Sequence, residues 1–274
     1  MSSGFASDVL TLEVDGPVAT LWLDDPGRRN ALGPAFWDDL PRAMAAVDDA
    51  ADVRAVVLAA RGRDFSVGLD LKSLPMLQGP ADASGAARRA HTYRTVKRLQ
   101  ASVTAVADCP VPVVAAVHGY CLGGGVDLIT ACDIRLAAAG AVFSVRETRM
   151  AMVADVGTLQ RLPRILAPGH VAELVYTGRD IDAARAEAIG LVNAVHPDVD
   201  ALHAAARALA GEIAANSPLA VRGAKVVLRA GEGLGTAQGL DHVALWNSAF
   251  MESDDLGEAV TAFLEKRPPN FRGA

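Results

Sequence analysis

Hydrophobic and polar residues alternate over residues 10–14, break at Asp15-Gly16-Pro17, and give way to an apolar run over 18–23. This pattern predicts two strands joined by a turn. Residues 24–30 form a turn-rich loop. Over residues 34–47 the apolar positions Phe36, Leu40, Met44 and Val47 recur at helical spacing. Pro41 is expected to bend that helix or displace its start, because it has no N–H to donate. Residues 53–59 and 111–117 are short apolar runs of the kind found in buried strands. Residues 65–72 read as a loop leading towards a helix, 77–87 as a mobile stretch rich in Gly, Ala, Pro and Ser, and 90–106 as a helix. A further helix is predicted from Leu122 onward with three glycines at its mouth, then short strands at 134–137 and 141–145. Strand, loop, helix and strand in repeated succession predict an α/β core with parallel pairing. After Gly190 the pattern becomes helical, with segments at 201–215, 218–229, 238–251 and 256–266, the last capped by Ser253-Asp254-Asp255. The expected division is an α/β core over 1–200 and a helical region over 201–274.

The chain has 274 residues, 51% hydrophobic and 21% charged, which suits a folded chain with a sizeable core. Its formal net charge of −6 provides no general basic field for nucleic acid or an anionic membrane. No apolar run approaches the length of a membrane span. Cys109, Cys121 and Cys132 form no C-x-x-C pair and read as small core residues in a reducing compartment. The first residues lack the basic and apolar regions of a secretory signal, and the last four form no peroxisomal address. With abundant alanine and an excess of arginine over lysine, these features lead to the expectation of a cytoplasmic, bacterial protein.

Three carboxylates lie in and after one glycine-rich stretch. Asp127 follows Gly123-Gly124-Gly125-Val126, Glu147 comes twenty residues later, and Asp155 eight beyond it. Apolar neighbours raise a carboxyl pKa and suit it to moving protons near neutral pH. The glycines open a helix whose free N–H groups and partial positive charge can form half of an oxyanion hole. They also suit tight packing of a helix on a sheet. In Phe65-Ser66-Val67-Gly68-Leu69-Asp70-Leu71, Gly68 permits a sharp turn, which would let the Leu69 N–H point into a pocket as the other oxyanion donor; read alone, the segment is a strand-to-helix connection. No P-loop, G-x-S-x-G or metal-ligand spacing is present, so no metal is expected. His118 reads as a packing residue. Asp155 also fits a helix N-cap, and Glu147, between Arg146 and Arg149, also fits a solvated surface position.

Taken together, these segments resemble the crotonase (enoyl-CoA hydratase/isomerase) superfamily over nearly the whole chain. The residues that carry the resemblance are Asn30-Ala31-Leu32, the Phe65 to Leu71 loop, and His118-Gly119-Tyr120-Cys121-Leu122-Gly123-Gly124-Gly125. Ala131-Cys132-Asp133-Ile134-Arg135, Gly157-Thr158-Leu159-Gln160-Arg161-Leu162-Pro163, Gly190-Leu191-Val192 and the tail from Phe263 to Phe271 continue it. The resemblance implies a spiral of ββα units over 1–200 that carries the acyl-CoA and catalytic sites. It also implies a C-terminal helical region over 201–274 that builds homotrimers or hexamers. Coenzyme A would arrive as part of the substrate, with no separate cofactor. The thioester oxygen would lie between the backbone N–H groups of Leu69 and Gly124. Arg28, Asn30, Ala31, Leu32, Gly68, Asp70, Leu71, Gly123 and Lys266 would bind substrate and CoA.

Aspartate at 127, glutamate at 147 and aspartate at 155 is the set found in Δ3,5-Δ2,4-dienoyl-CoA isomerases of this family. The hydratase pattern has a second glutamate at 127 and glycine at 155. The resemblance thus implies isomerisation of a 3,5-dienoyl-CoA in fatty acid degradation. Glu147 would take a proton from C2, Asp155 would return one at C6, and Asp127 would orient and polarise. The alternatives are an enoyl-CoA hydratase, with Asp127 and Glu147 gripping a water, and a non-catalytic binder of CoA esters.

Overall fold

In the computed structural model, which describes residues 2–274, the chain begins with three strands, β1 (Ser2–Ala6), β2 (Leu10–Asp15) and β3 (Val18–Leu23). Helix α1 (Pro34–Asp49) leads to β4 (Ala55–Ala60), and α2 (Gly85–Ala107) leads to β5 (Val113–Val117). Next come β6 (Tyr120–Leu122), α3 (Gly124–Thr130), β7 (Ile134–Ala138), β8 (Val142–Ser144), α4 (Thr158–Arg161) and α5 (Pro168–Thr177). They are followed by β9 (Ile181–Asp182), α6 (Ala183–Ala188) and β10 (Ala194–His196). Four helices end the chain: α7 (Val199–Ala214), α8 (Pro218–Gly231), α9 (Thr236–Phe250) and α10 (Asp254–Glu265).

The large sheet has the order β1-β2-β3-β4-β5-β7-β10. Its first two pairings are antiparallel and the rest parallel. Every residue of β4 and β5 is buried, as expected for strands covered on both faces. A smaller sheet, β6-β8-β9, lies beside it: β8 falls within the strand expected at 141–145, whereas β6 and β9, three and two residues long, were not legible from the sequence. Parallel bridges Ser66 to Cys121 and Leu32 to Leu69 extend its row. Thus β3, β4, β5 and β7 each enter the large sheet, send the following residues into the small row, and then pass into helical structure. That repetition is the ββα spiral.

Two expectations need correction. The glycine-mouthed helix starts at Gly124 rather than Leu122, since residues 120–122 are a strand. Helix α1 runs through Pro41, whose missing N–H costs the Trp37 carbonyl its usual partner. Burial of Phe36, Trp37, Leu40, Met44 and Val47 along one face holds this helix in place. The boundary expected at 200 falls at the start of α7, but Leu202, Ala206 and Ala210 of α7 are buried against the large sheet. The helices that stand away from the core begin with α8. Lys225 of α8 ties them back: its buried Nζ donates to Asp133 Oδ2 at 2.7 Å and to the Val111 carbonyl at 2.9 Å.

Candidate active site

Two loops from successive turns of the spiral meet beside the small sheet. The Ser66 N–H donates to the Tyr120 carbonyl and the Leu122 N–H to the Ser66 carbonyl, at 2.8 and 3.0 Å. Leu32 N–H donates to Gly68 O and Asp70 N–H to Leu32 O, at 2.8 and 3.1 Å. Ser66, fully buried, adds its hydroxyl: Oγ donates to Asn30 O at 2.7 Å and accepts from Gly68 N–H at 3.1 Å. In this network the Leu69 and Gly124 N–H groups donate to no group among the described residues.

The close approach of the two loops excludes side chains. Gly68 has φ +83°, and a Cβ there would lie 2.6 Å from the Leu122 carbonyl and 3.3 Å from Gly124 N. A Cβ on Gly124 would meet Leu32 Cδ1 at 2.8 Å and would sit 3.8 Å from Leu69 N. The two free N–H groups therefore border one small space that only backbone and ligand can share. The start of α3 adds the partial positive charge of a helix N-terminus.

Glu147 lies beside this space. Its Oε1 is 3.3 Å from where a Gly123 side chain would begin, and its Oε2 is buried without a hydrogen-bond partner. The flanking arginines do not neutralise it. Arg146 binds Asp180 at 2.7 Å, and Arg149 reaches the Thr177 carbonyl at 3.3 Å. Burial, with the charges of Asp127 and Asp155 adding to it, pushes the Glu147 carboxyl up to about 7. The solvated-surface alternative for Glu147 is thereby removed.

Asp127 is only 1% exposed. Its Oδ1 accepts the Thr158 N–H at 2.6 Å, the first free donor of α4. Burial, with the nearby Asp155 charge adding to it, raises this carboxyl to about 6 against the pull of the bonds from Thr158. Asp155 does not cap α4: the residue before that helix is Gly157, with no side-chain bond. The cap role that the sequence allowed for Asp155 belongs, in effect, to Asp127. Asp155 keeps its carboxylate open to solvent and free of hydrogen bonds to other residues, and partial enclosure by protein raises its pKa.

The remaining predicted residues divide. Arg28 pairs with Asp70 at the mouth, and Asp70 also accepts the Lys72 N–H at 3.1 Å, which starts the 3-10 turn Leu71–Leu77. Leu71 is half exposed, Ala31 is partly buried and Leu32 is buried. Asn30 is buried, and its amide is used up within the loop: it accepts from Asp25 N–H and donates to the Arg61 and Asp64 carbonyls. Lys266 is exposed at the end of α10, and no hydrogen bond or ion pair joins it to residues 25–33 or 64–72. His118 packs against His203, with its Nε2 on the Gly62 carbonyl at 2.9 Å. Among the described residues no group of three or more His, Cys, Asp or Glu is arranged to hold a metal. Among the same residues no helix is long and apolar enough to cross a membrane. Ser66 and Thr158 lie in segments that carry the family resemblance but were given no role there, since the partners of the Ser66 hydroxyl and the Thr158 N–H show only in the fold.

Residues 13–274 match the family model for enoyl-CoA hydratase/isomerase. The chain is 41% identical over 256 residues to the mitochondrial Δ3,5-Δ2,4-dienoyl-CoA isomerase of Dictyostelium discoideum, covering 93% of this chain and 87% of that protein. It is 40% identical over 273 residues to the peroxisomal Δ3,5-Δ2,4-dienoyl-CoA isomerase of Arabidopsis thaliana, covering 99% and 98%. The solved structure of an enoyl-CoA hydratase from Bacillus anthracis superposes with a TM-score of 0.87 at 32% identity, over 97% of this chain and all of that one. The expectation of a cytoplasmic, bacterial protein is corrected by these names: the isomerase relatives are mitochondrial and peroxisomal proteins of eukaryotes, and composition carries no signal of organelle. The spiral of ββα units, the two apposed glycine loops and these likenesses place the chain in the enoyl-CoA hydratase/isomerase, or crotonase, family.

Proposed function

We propose that the protein is a Δ3,5-Δ2,4-dienoyl-CoA isomerase of fatty acid degradation. The thioester oxygen accepts from the Leu69 and Gly124 N–H groups, which stabilise charge as it develops there. Glu147, beside the same space, takes the proton from C2. The C2–H electron pair spreads through the two double bonds as a dienolate, and Asp155 delivers a proton to C6. The C2–H bond is broken and a C6–H bond formed, the double bonds move from 3,5 to 2,4, and Glu147 ends protonated with Asp155 ionised. Proton return from Glu147 to Asp155, directly or through water, resets the site.

The observation that carries this reading is the Asp155 carboxyl group, its pKa raised by partial burial, uncommitted to any hydrogen bond with another described residue and near enough to Asp127 and Glu147 to affect both. The names of the two isomerase relatives agree with it. Hydration is disfavoured because Asp127 is committed to the Thr158 N–H and has little freedom to share a water with Glu147. A non-catalytic CoA-ester binder has no use for a buried carboxylate oxygen without a partner, which costs stability.

The acyl-CoA portion is proposed to enter past the Arg28–Asp70 mouth, with Ala31, Leu32 and Leu71 along the wall. The exposed apolar residues Leu245, Val260, Phe263 and Leu264 on α9 and α10 fit a homotrimer, alone or paired into a hexamer. Lys266 would then meet CoA across a subunit boundary. The test is to supply a 3,5-dienoyl-CoA and, separately, crotonyl-CoA. The conjugated 2,4-dienoyl thioester should form at least ~100-fold faster than water is added to crotonyl-CoA, the scale of one well-placed acid–base group. Faster hydration would overturn the reading.

A further inference from the structure

Helix α2 turns one face towards the segment that carries Asp155. Lys97, Gln100 and Thr104 lie on that face at helical spacing. Gln100 Nε2 donates to the Asp155 carbonyl at 2.7 Å, and its Oε1 accepts from Lys97 Nζ at 2.8 Å. An ammonium only donates and a carbonyl only accepts, so the two partners fix the orientation of the amide. Thr104 Oγ1 accepts from Arg161 Nη2 at 3.0 Å, and the Arg161 guanidinium reaches back to the Val156 carbonyl at 3.4 Å. With the Asp127 bond to Thr158 N–H, residues 156–161 are held from two sides. Upstream, Met152 N–H is held by the Glu147 carbonyl. Between these anchors Gln100 provides the hydrogen bond to the backbone of residue 155 itself.

The Asp155 carboxylate has no hydrogen bond to another described residue, so its direction follows from its backbone. We propose that Gln100 is the positioning residue for Asp155: its amide, held by Lys97, clamps the Asp155 carbonyl and so sets where that carboxyl meets the far end of the acyl chain. This rests on the reading of Asp155 as the C6 acid. Proton transfer depends steeply on geometry, and a displacement of about 1 Å costs on the order of 100-fold. Glu147 hangs from a different turn and keeps its place when Gln100 is changed.

The test is isomerisation in deuterated water by the full-length protein carrying Gln100→Leu or Gln100→Glu, beside wild type and Asp155→Asn. Both Gln100 variants are expected to lower kcat by about 10- to 100-fold with KM within about twofold. Deuterium delivery at C6 should slow by the same factor, while exchange at C2 continues at the wild-type rate. The Glu variant keeps the shape of the side chain and loses the donor, so wild-type turnover by Q100E would reduce Gln100 to packing and overturn the proposal. Loss of C2 and C6 exchange together would also overturn it, as general damage to the site. If Asp155→Asn abolishes C6 delivery and Gln100→Leu does not, the positioning role alone fails. If Asp155→Asn leaves C6 delivery intact, the acid assignment and the clamp fall together.

Discussion

The two halves of the site are held by different physics. The half made by Gly68, Leu69, Gly123 and Gly124 is backbone, placed by a lattice of hydrogen bonds between successive turns of the spiral and by contacts that leave no room for a methyl group. The half made by Asp127, Glu147 and Asp155 is side chain, and its chemistry is set by burial, with the Asp155 charge acting on Asp127 and Glu147 and the Asp127 charge acting on Glu147. Added volume breaks the first half. A removed charge retunes the second.

The sharpest separation comes from Glu147→Gln. Losing the proposed base is expected to reduce isomerisation by about 10³-fold, within the range of general acid–base catalysis, and to abolish C2 exchange. The same variant should gain stability at high pH. A carboxyl whose folded pKa is raised to about 7 stabilises the fold while protonated, and that contribution is lost as pH rises through 7. Thermal melts should therefore show Glu147→Gln above wild type at pH 8 and level with it near pH 4. A variant that melts below wild type at both values would mean that burial is not what holds the carboxyl up.

Gly68→Ala attacks the backbone half and leaves every carboxylate in place. Its Cβ would press on the Leu122 carbonyl and force the chain from φ +83°, moving the Leu69 N–H. Loss of one oxyanion donor costs about 10²-fold in kcat. The pH optimum should stay where it was, and a displaced optimum would show that the halves are not separable. Asp127→Asn does the reverse: Asn can still accept the Thr158 N–H, but the charge that raises Glu147 is gone. The acidic limb of the kcat/KM profile, where Glu147 must be ionised, should move to lower pH, with kcat at its optimum changed by less than about tenfold. An unmoved limb would place the cause of the Glu147 shift in burial and the Asp155 charge, without Asp127. The smallest effect on turnover is expected from Lys225→Met, far from both halves. Breaking a largely buried ion pair should cost roughly 2 kcal/mol, read as a lower denaturant midpoint, with kcat preserved at 25 °C.

Much of the architecture was legible because it depends on period and punctuation. The apolar runs of β3, β4 and β5 and the spacing along α1 and α7 declare themselves in the chain. The short strand at residues 120–122 did not, since three residues carry no period and its partners lie twenty or more residues away at β8 and Ser66. Pro41 argued against a continuous α1, and burial of the face around it outweighed one lost hydrogen bond. The three carboxylates and both glycine loops were visible as motifs. Gln100 was not, because its partner is a backbone carbonyl 55 residues away.

By itself the sequence determined the longer strands and helices of the core and tail, the family, and which residue types stand at 68, 124, 127, 147 and 155. Those follow from local pattern, which requires no knowledge of what lies across the molecule. Only the tertiary structure decided that Asp127 holds the start of α4 while Asp155 stays free, that the arginines beside Glu147 turn away, and that two N–H groups from separate loops share one space. Each of these depends on long-range hydrogen bonding and on exclusion of water, and a pKa or a free donor has no value until the surroundings that desolvate it are assembled.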